Sequence, residues 1–348
     1  MLKQLIKKGF IDYLYINKME KIESVCILTN PFAKRNINKK KEIEDLVKKY
    51  NSYDKNIHVQ HFFVYDQNSL LNIFKQIEDV DLLVMNGGDG TVKFVLSVLF
   101  QNKPFKKIPL MAVLPSGSTN LIALDIGAIR NKKNALKRFL HYLIVQKAYW
   151  KTSERPVIHI SIPSNEIDEY GLFVGMSLLY KASAFFNKQL KKCGLSGVPG
   201  IIITMIRTIY ALFTRSKYYT KGEVITCKLD NNREIKFSSL LFLITSLRKL
   251  MFGNKNILSL GKFSYDDLHS LVMLEKPKHF FINMVYFFMG KLSKHFTEEN
   301  GYMILHSKKF ELTGIKGLAI DGEIYELTKS SDTLIIESGE LLKFVVFI

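Results

Sequence analysis

Cysteine is scarce in this chain. Cys26, Cys193 and Cys227 are odd in number, scattered, and contain no C-x-x-C spacing. That argues against a disulfide framework or a zinc site and fits a reducing, cytoplasmic compartment. Long hydrophobic runs are also missing. "IIITMIRTIYALF" (201–213) and "FFINMVYFFMG" (280–290) fall short of the roughly 20 apolar residues that cross a bilayer. The opening "MLKQLIKKGFIDYLYINKMEK" is broken by lysines too often for a signal-peptide core. Its apolar residues could form one face of a short basic helix, packed, frayed or lying on a membrane. Repeats and low-complexity tracts do not occur.

Acidic residues are missing where they would matter most. From Lys181 to Lys221 there are eight Lys/Arg and no Asp or Glu, within a chain of formal charge +18. A field of that sign attracts nucleic acid or an anionic membrane. No RNP-type aromatic motif, helix-turn-helix signal or zinc spacing supports nucleic acid. His58 and His61 share one expected strand at i and i+3, so they point to opposite faces and make a poor metal pair.

What the chain does contain is alternation. "ESVCILTN", "IHVQHFFVY", "DLLVMN" and "PLMAVLP" read as strands, with amphipathic helices such as "NKKKEIEDLVKKYN" and "NSLLNIFKQIED" between them. Asn68 or Ser69 is the expected N-cap of the latter. Such alternation implies a parallel sheet covered on both faces, with ligands outside the carboxyl ends of the strands. After Trp150 the segments become mostly β-like and antiparallel in character, with helices near 178–192, 198–214 and 278–292. The expected organisation is a basic extension (1–21), an α/β domain (22–150) and a β-rich domain (151–348), with the last strand free to return to the first domain.

The most informative stretch is "DLLVMNGGDGTVKFVLSVLF" (81–100), a buried strand that leaves through three glycines and one carboxylate into a helix. Glycine lets backbone approach a ligand, and the helix N-terminus supplies free N–H groups and partial positive charge. The turn is not a Walker A loop, and Lys93 stands where a dinucleotide fingerprint has its third glycine. Asp89 would repel phosphate unless Mg²⁺ lies between them. An ordinary strand-to-helix turn capped by Asp89 accounts for the pattern equally well. "LPSGSTNLIALDIG" (114–127) and "TNPFAKRN" (29–36) leave two other strands in a similar way. Three such turns at neighbouring strand ends favour a nucleotide site.

These motifs resemble those of the diacylglycerol kinase catalytic family, which includes sphingosine kinases. The resemblance rests on Asn30–Pro31, on "GGDGT" at Gly87–Thr91, on "P-x-G-S-x-N" at Pro115–Asn120 and on "DGE" at Asp321–Glu323. "GLFVGMSLLYKA" (171–182) is similar to the stretch that opens the family's lipid-binding domain. It implies an α/β fold: a Rossmann-like nucleotide domain, akin to phosphofructokinases and NAD kinases, then a mostly antiparallel β-sandwich-like lipid-binding domain. The implied activity is phosphorylation of a lipid hydroxyl with ATP and Mg²⁺ by a cytoplasmic, peripherally membrane-associated enzyme. Its partner would be a lipid acceptor at an anionic membrane surface, and a homodimer is left open.

By resemblance, Gly87, Gly88, Asp89, Gly90, Thr91 and Gly117 hold the phosphates, with Asp89 acting catalytically through Mg²⁺. Thr29 and Asn30 line the nucleotide pocket, Ser118 replaces the family's threonine, and Asn120 completes that loop. Glu323 stands where the family's proposed general base stands. From the residues alone, "LAIDGEIYEL" is a hairpin with an Asp-Gly type I′ turn. The first motif lacks the family's Ser-Gly, a loss that Lys34 or Arg35 could offset by reaching toward phosphates. Asp266 and Asp267 lack the glycine of the family's metal loop and are weak metal candidates. Two other functions fit: an NAD kinase-like enzyme, disfavoured because no G-x-L-G-F follows GGDG, and a catalytically silent membrane-associated relative.

Overall fold

The computed structural model describes residues 22–53, 57–128, 133–146, 151–190, 198–214, 216–230, 232–249, 264–327 and 332–346. The lysine-rich opening segment lies outside them. Strand and helix alternate from the start: β1 (Ser24–Thr29), α1 (Lys40–Tyr53), β2 (His58–Phe63), α2 (Gln67–Gln76), β3 (Leu82–Gly87), α3 (Asp89–Asn102), β4 (Leu110–Pro115), α4 (Leu121–Asp125) and α5 (Ala135–Gln146). The N-cap of α2 is Asp66 rather than Asn68 or Ser69. Its carboxylate accepts the Ser69 N–H at 2.8 Å while the Ser69 hydroxyl accepts the Asp66 N–H at 3.0 Å, a reciprocal capping box.

The four strands are parallel in the order β2-β1-β3-β4. Every position of β3 and β4 is buried because both faces are covered. Alternate residues of these strands face opposite ways. Leu28, Met85 and Val113 pack with α2, α3 and α4, whereas Ile27, Val84 and Ala112 pack with α1 and α5. The chain leaves β1 toward one face and β3, its neighbour, toward the other. The chain parts in this way at Thr29–Asn30 and Asn86–Gly87, the kind of place where parallel α/β sheets generally form a crevice.

Downstream follow β5 (Lys151–Ile162), β6 (Ile167–Gly171), β7 (Phe173–Ser177), α6 (Leu178–Phe185) running into a π turn, α7 (Val198–Phe213), α8 (Lys217–Thr220), β8 (Glu223–Leu229), β9 (Glu234–Thr245), β10 (Leu268–Leu274), α9 (Phe280–Phe288), β11 (Tyr302–Ser307), β12 (Lys309–Thr313), β13 (Gly317–Ile320), β14 (Glu323–Glu326) and β15 (Leu334–Val346). These strands pair antiparallel throughout. Their inward side chains, including Ile158, Val174, Ile225, Phe242, Phe310 and Ile336, share one core. The long β15 joins the two regions: it pairs antiparallel with β5 and β12, and parallel with β4 at Phe344 and Met111. The result is a mixed α/β fold around one large, mostly antiparallel sheet. Cys26 and Cys227 are buried, unpaired thiols, which burial pushes up to about 12.

Candidate functional site

Three turns meet at the carboxyl ends of β1, β3 and β4. The β1 turn is anchored by Asn30, whose N–H donates to the Asn86 carbonyl at 3.1 Å and whose amide donates to the Thr91 hydroxyl at 2.9 Å. Thr29 is fully buried, and its hydroxyl accepts from Asn86 Nδ2 at 3.2 Å and shares a hydrogen bond with His61 Nε2 at 3.0 Å. Burial lowers the His61 imidazole to about 4, so it is neutral near pH 7. Asn36 ties the turn down again, donating to the carbonyls of Asn30 and Asn86.

The β3 and β4 turns touch through glycines. A Cβ on Gly88 would lie 2.9 Å from Gly117 Cα, so neither position admits a side chain without parting the loops. The Gly87 carbonyl accepts the N–H groups of Ser116 and Gly117 at 2.9 and 3.1 Å. Asn120, in left-handed backbone at φ 56°, closes its own loop by accepting from Gly117 N and donating to Gly117 O. Ser118 is half-buried and Thr119 exposed at the rim.

Asp89 has a role that the sequence did not reveal. Its two carboxylate oxygens accept the backbone N–H groups of Leu121 and Ile122 at 3.1 and 3.0 Å, fastening the start of α3 to the start of α4. Burial pushes its carboxyl upward, against the pull of those hydrogen bonds. A carboxylate among these glycines is therefore largely answered by backbone donors. Arg35 is likewise a brace. It donates to the carbonyls of Pro115 (3.3 Å) and Gly117, which corrects the expectation that it reaches freely toward phosphates.

Glu323 comes to the same place from the far end of the chain. Asp321 (φ 46°) and Gly322 (φ 93°) form a two-residue turn between β13 and β14, with Ile320 opposite Glu323. The turn has positive φ at both central residues, as a type I′ turn requires. It carries half-exposed Glu323 to the start of α3, where Oε1 would lie 4.0 Å from a Cβ on Gly90. Oε2 accepts from Lys93 at 2.9 Å. Buried Lys93 also pairs with Glu169 at 2.8 Å and donates to the Tyr325 hydroxyl at 2.5 Å. Burial alone would lower this lysine, but the hydrogen bonds it donates to Glu169, Tyr325 and Glu323 outweigh that and raise the group. The sequence carried a signal for Lys93: a lone cation on a helix with buried Val92, Val95, Leu96 and Leu99 around it.

Asp321 is partly buried. Its Oδ2 accepts the Leu172 N–H at 3.0 Å, and burial, aided by the charge on Asp89, raises it to about 8. On the α1/α5 side of the turns, a cavity of about 610 Å³ is lined by Lys34, Arg35, Asn36, Asn86, Ser116 and Lys133.

The residues can be tested for Mg²⁺. No group of three His, Cys, Asp or Glu suited to a metal occurs among the described residues. Asp266 pairs with Lys308 at 2.5 Å and accepts from Ser264, and Asp267 accepts the Ser264 N–H. Asp267 caps a turn and Asp266 neutralises Lys308, so both acids are held by protein partners. Asp89 remains, partly exposed. One carboxylate suits an ion that draws its other ligands from phosphates and water, and not a protein-made cage.

Residues 24–147 match the family model of the diacylglycerol kinase catalytic domain. The resemblance carried by the motifs is thus found independently over that region. No curated protein matches the chain. Among solved structures, the fold is similar to that of a diacylglycerol kinase from Bacillus anthracis str. Sterne. The TM-score is 0.56 at 15% identity, covering 94% of this chain and 98% of that one. A second crystal structure from that organism, named as a candidate diacylglycerol kinase, gives 0.61 at 16% identity with the same coverage. At such identities the likeness is one of fold.

Proposed function

We propose that this protein is an ATP-dependent lipid kinase that transfers the γ-phosphate to a hydroxyl of diacylglycerol or a related long-chain lipid. One observation carries the reading: Glu323, from a hairpin 230 residues away in sequence, is held by Lys93 against the glycine turn that opens α3. The parallel order with helices on both faces supports residues 22–150 as a Rossmann-like nucleotide domain. The β-rich remainder would present the acceptor.

Phosphoryl transfer needs charge neutralisation and in-line placement more than covalent help. The glycine turn at Gly88–Gly90 and the positive end of α3 suit a phosphate chain, and Thr29 and Asn30 would border the nucleotide. Asp89 would be the protein's ligand to Mg²⁺, which when bound neutralises phosphate charge. The acceptor hydroxyl attacks the γ-phosphorus, its proton passes to Glu323, and ADP departs. Lys93 positions that carboxylate by fixing Oε2, which leaves Oε1 for the incoming hydroxyl.

Radiolabelled ATP with mixed lipid vesicles tests this. Label should enter the organic phase, and Glu323→Gln should lower the rate about 10²- to 10⁴-fold with an unchanged melting curve. Label on NAD would move the reading to an NAD kinase-like enzyme. Vesicle binding without transfer to any lipid would indicate a silent relative.

A further inference from the structure

The two elements that carry the glycine turns also meet at their other ends. α3 begins at Asp89 and β4 ends at Pro115, both in the candidate site. At the opposite ends, Leu99 and Phe100 of α3 and Leu110 of β4 line a cavity of about 430 Å³. From Asp89 to Leu99 the helix rises about 15 Å. The cavity is therefore separate from the turns.

Its walls form where the backbone leaves regular pairing. α3 stops because Lys103 takes left-handed backbone (φ 45°), its N–H closing on the Leu99 carbonyl, and Pro104 follows. In β15, the register against β5 shifts between Ser338 and Leu341. A bulge of this kind re-aims the side chains beside it. Here Leu341 stands 40% exposed in the cavity wall. Gly339 lies in the bulge, where a Cβ would meet Val157 Cγ1 at 2.8 Å. Two aromatic walls are held from behind: Phe100 stacks on Tyr170 with ring centroids 5.1 Å apart, and Phe105 meets Phe74 edge-on at 5.3 Å.

We propose that this cavity binds a single-chain amphiphile with an anionic head, the chain against the apolar wall and the head among lysines. The lining side chains are of two chemical kinds. Phe100, Phe105, Ile108 and Leu341 give apolar surface. Lys103, Lys106 and Lys107 come from the loop after α3, and Lys343 comes from β15. Glu340 is the acid beside them, so the four lysines leave the lining net positive. Lys103 also answers the negative end of α3. Among the described residues, no hydroxyl, amide or imidazole side chain lines the cavity. A nucleobase or sugar would bury polar edges there without partners. An inorganic anion would leave the apolar wall uncovered. Small-molecule sites run from roughly 300 to 1,000 Å³, and a volume near the lower end suits one alkyl chain rather than two.

Carboxylate and phosphate heads share this chemistry, and the experiment has an arm for each. Calorimetric titration of the full chain, without nucleotide, uses octanoate and octyl phosphate, both below micelle formation. Inorganic phosphate and 1-octanol supply the head and the chain alone. No phosphate transfer is read, so the result stands apart from the kinase reading. Saturation of one site by either amphiphile supports the inference, and the tighter of the two identifies the head. Phosphate and octanol should each bind about ten-fold more weakly or less. Lys106→Glu with Lys107→Glu should weaken the amphiphile about ten-fold. Lys48→Glu with Lys49→Glu, an equal change of charge on exposed positions of α1, should leave it as in wild type. Leu341→Asp, at an exposed position, should weaken it too and carries the test should the loop pair fail to fold. Four outcomes would overturn the inference: no saturable binding, phosphate or octanol binding as tightly as the amphiphiles, equal weakening by both lysine pairs, or binding that survives the loop pair and Leu341→Asp alike.

Discussion

Gly88 and Gly117 meet backbone to backbone, and each occupies the space that a side chain on the other would need. The two turns can share one mouth only because both residues lack a Cβ. Gly117→Ala would drive a methyl group into Gly88 and push the turns apart. Overpacking of this kind costs about 1–3 kcal/mol. The urea midpoint should fall accordingly, and the apparent affinity for ATP should weaken with it. An unchanged midpoint would mean that the turns have room to slide.

Asp125 fastens the end of α4 to the second half of the chain. It accepts from Arg155 Nε at 2.7 Å and from the N–H groups of Arg248 and Lys249 at 2.9 and 2.6 Å. Both side chains are almost wholly buried. Asp125→Ala leaves a guanidinium and two backbone donors without their acceptor, so the expected cost is about 3–5 kcal/mol. Asn at this position keeps one acceptor oxygen and should fall between alanine and wild type in the same urea titration.

Among the described residues, Lys93 is the cation that pairs with both Glu169 and Glu323. Lys93→Met should destabilise by about 1–3 kcal/mol, below the figure for fully buried pairs because Glu323 is half exposed. It should also lower phosphate transfer, since Glu323 loses its brace. Lys93→Arg should recover stability more fully than activity, because the wider guanidinium shifts the carboxylate it holds.

The sequence revealed these features unevenly, for physical reasons. Strands and helices up to α5 were legible because two-faced burial leaves apolar runs, and half-burial leaves a helical period. The glycine turns were legible because close backbone approach excludes every other residue. Asp321 and Gly322 were legible as a type I′ turn, and that turn carries Glu323 to the start of α3. Partners far apart in sequence left little trace, as with Asp89 and the N–H groups of α4, or Lys93 and Glu169. "YMILHSKKFELTG" (302–314) is β-like along most of its length, yet it splits at Lys308. β11 joins β10, while β12 turns away to β8 and β15. Neighbour choice depends on the whole sheet, which no local pattern encodes.

Stability should depend on pH through Asp321. Burial first, then the nearby Asp89 charge, raises its carboxyl from 3.8 to about 8 in the folded chain. Between those values the folded state holds a proton that the unfolded state has released, so raising the pH favours unfolding. The contribution is complete below about pH 4 and is lost as pH climbs to about 8. For one proton the slope cannot exceed about 1.4 kcal/mol per pH unit. His61 and His269 act in the opposite sense at lower pH. Burial lowers them to about 4 and about 3, so their neutral forms favour folding until pH falls below the unfolded value of 6.5. An unfolded histidine is about nine-tenths neutral one pH unit above 6.5, so the interval from about pH 7.5 to about 8 isolates the carboxylates. There the wild-type melting temperature should fall as pH rises. Asp321→Asn should flatten the slope, since Asn accepts the Leu172 N–H and tolerates positive φ. Asp89 and Glu223, pushed the same way by burial, leave a residual slope. Parallel melting curves for the two proteins across that interval would place the titrating proton elsewhere.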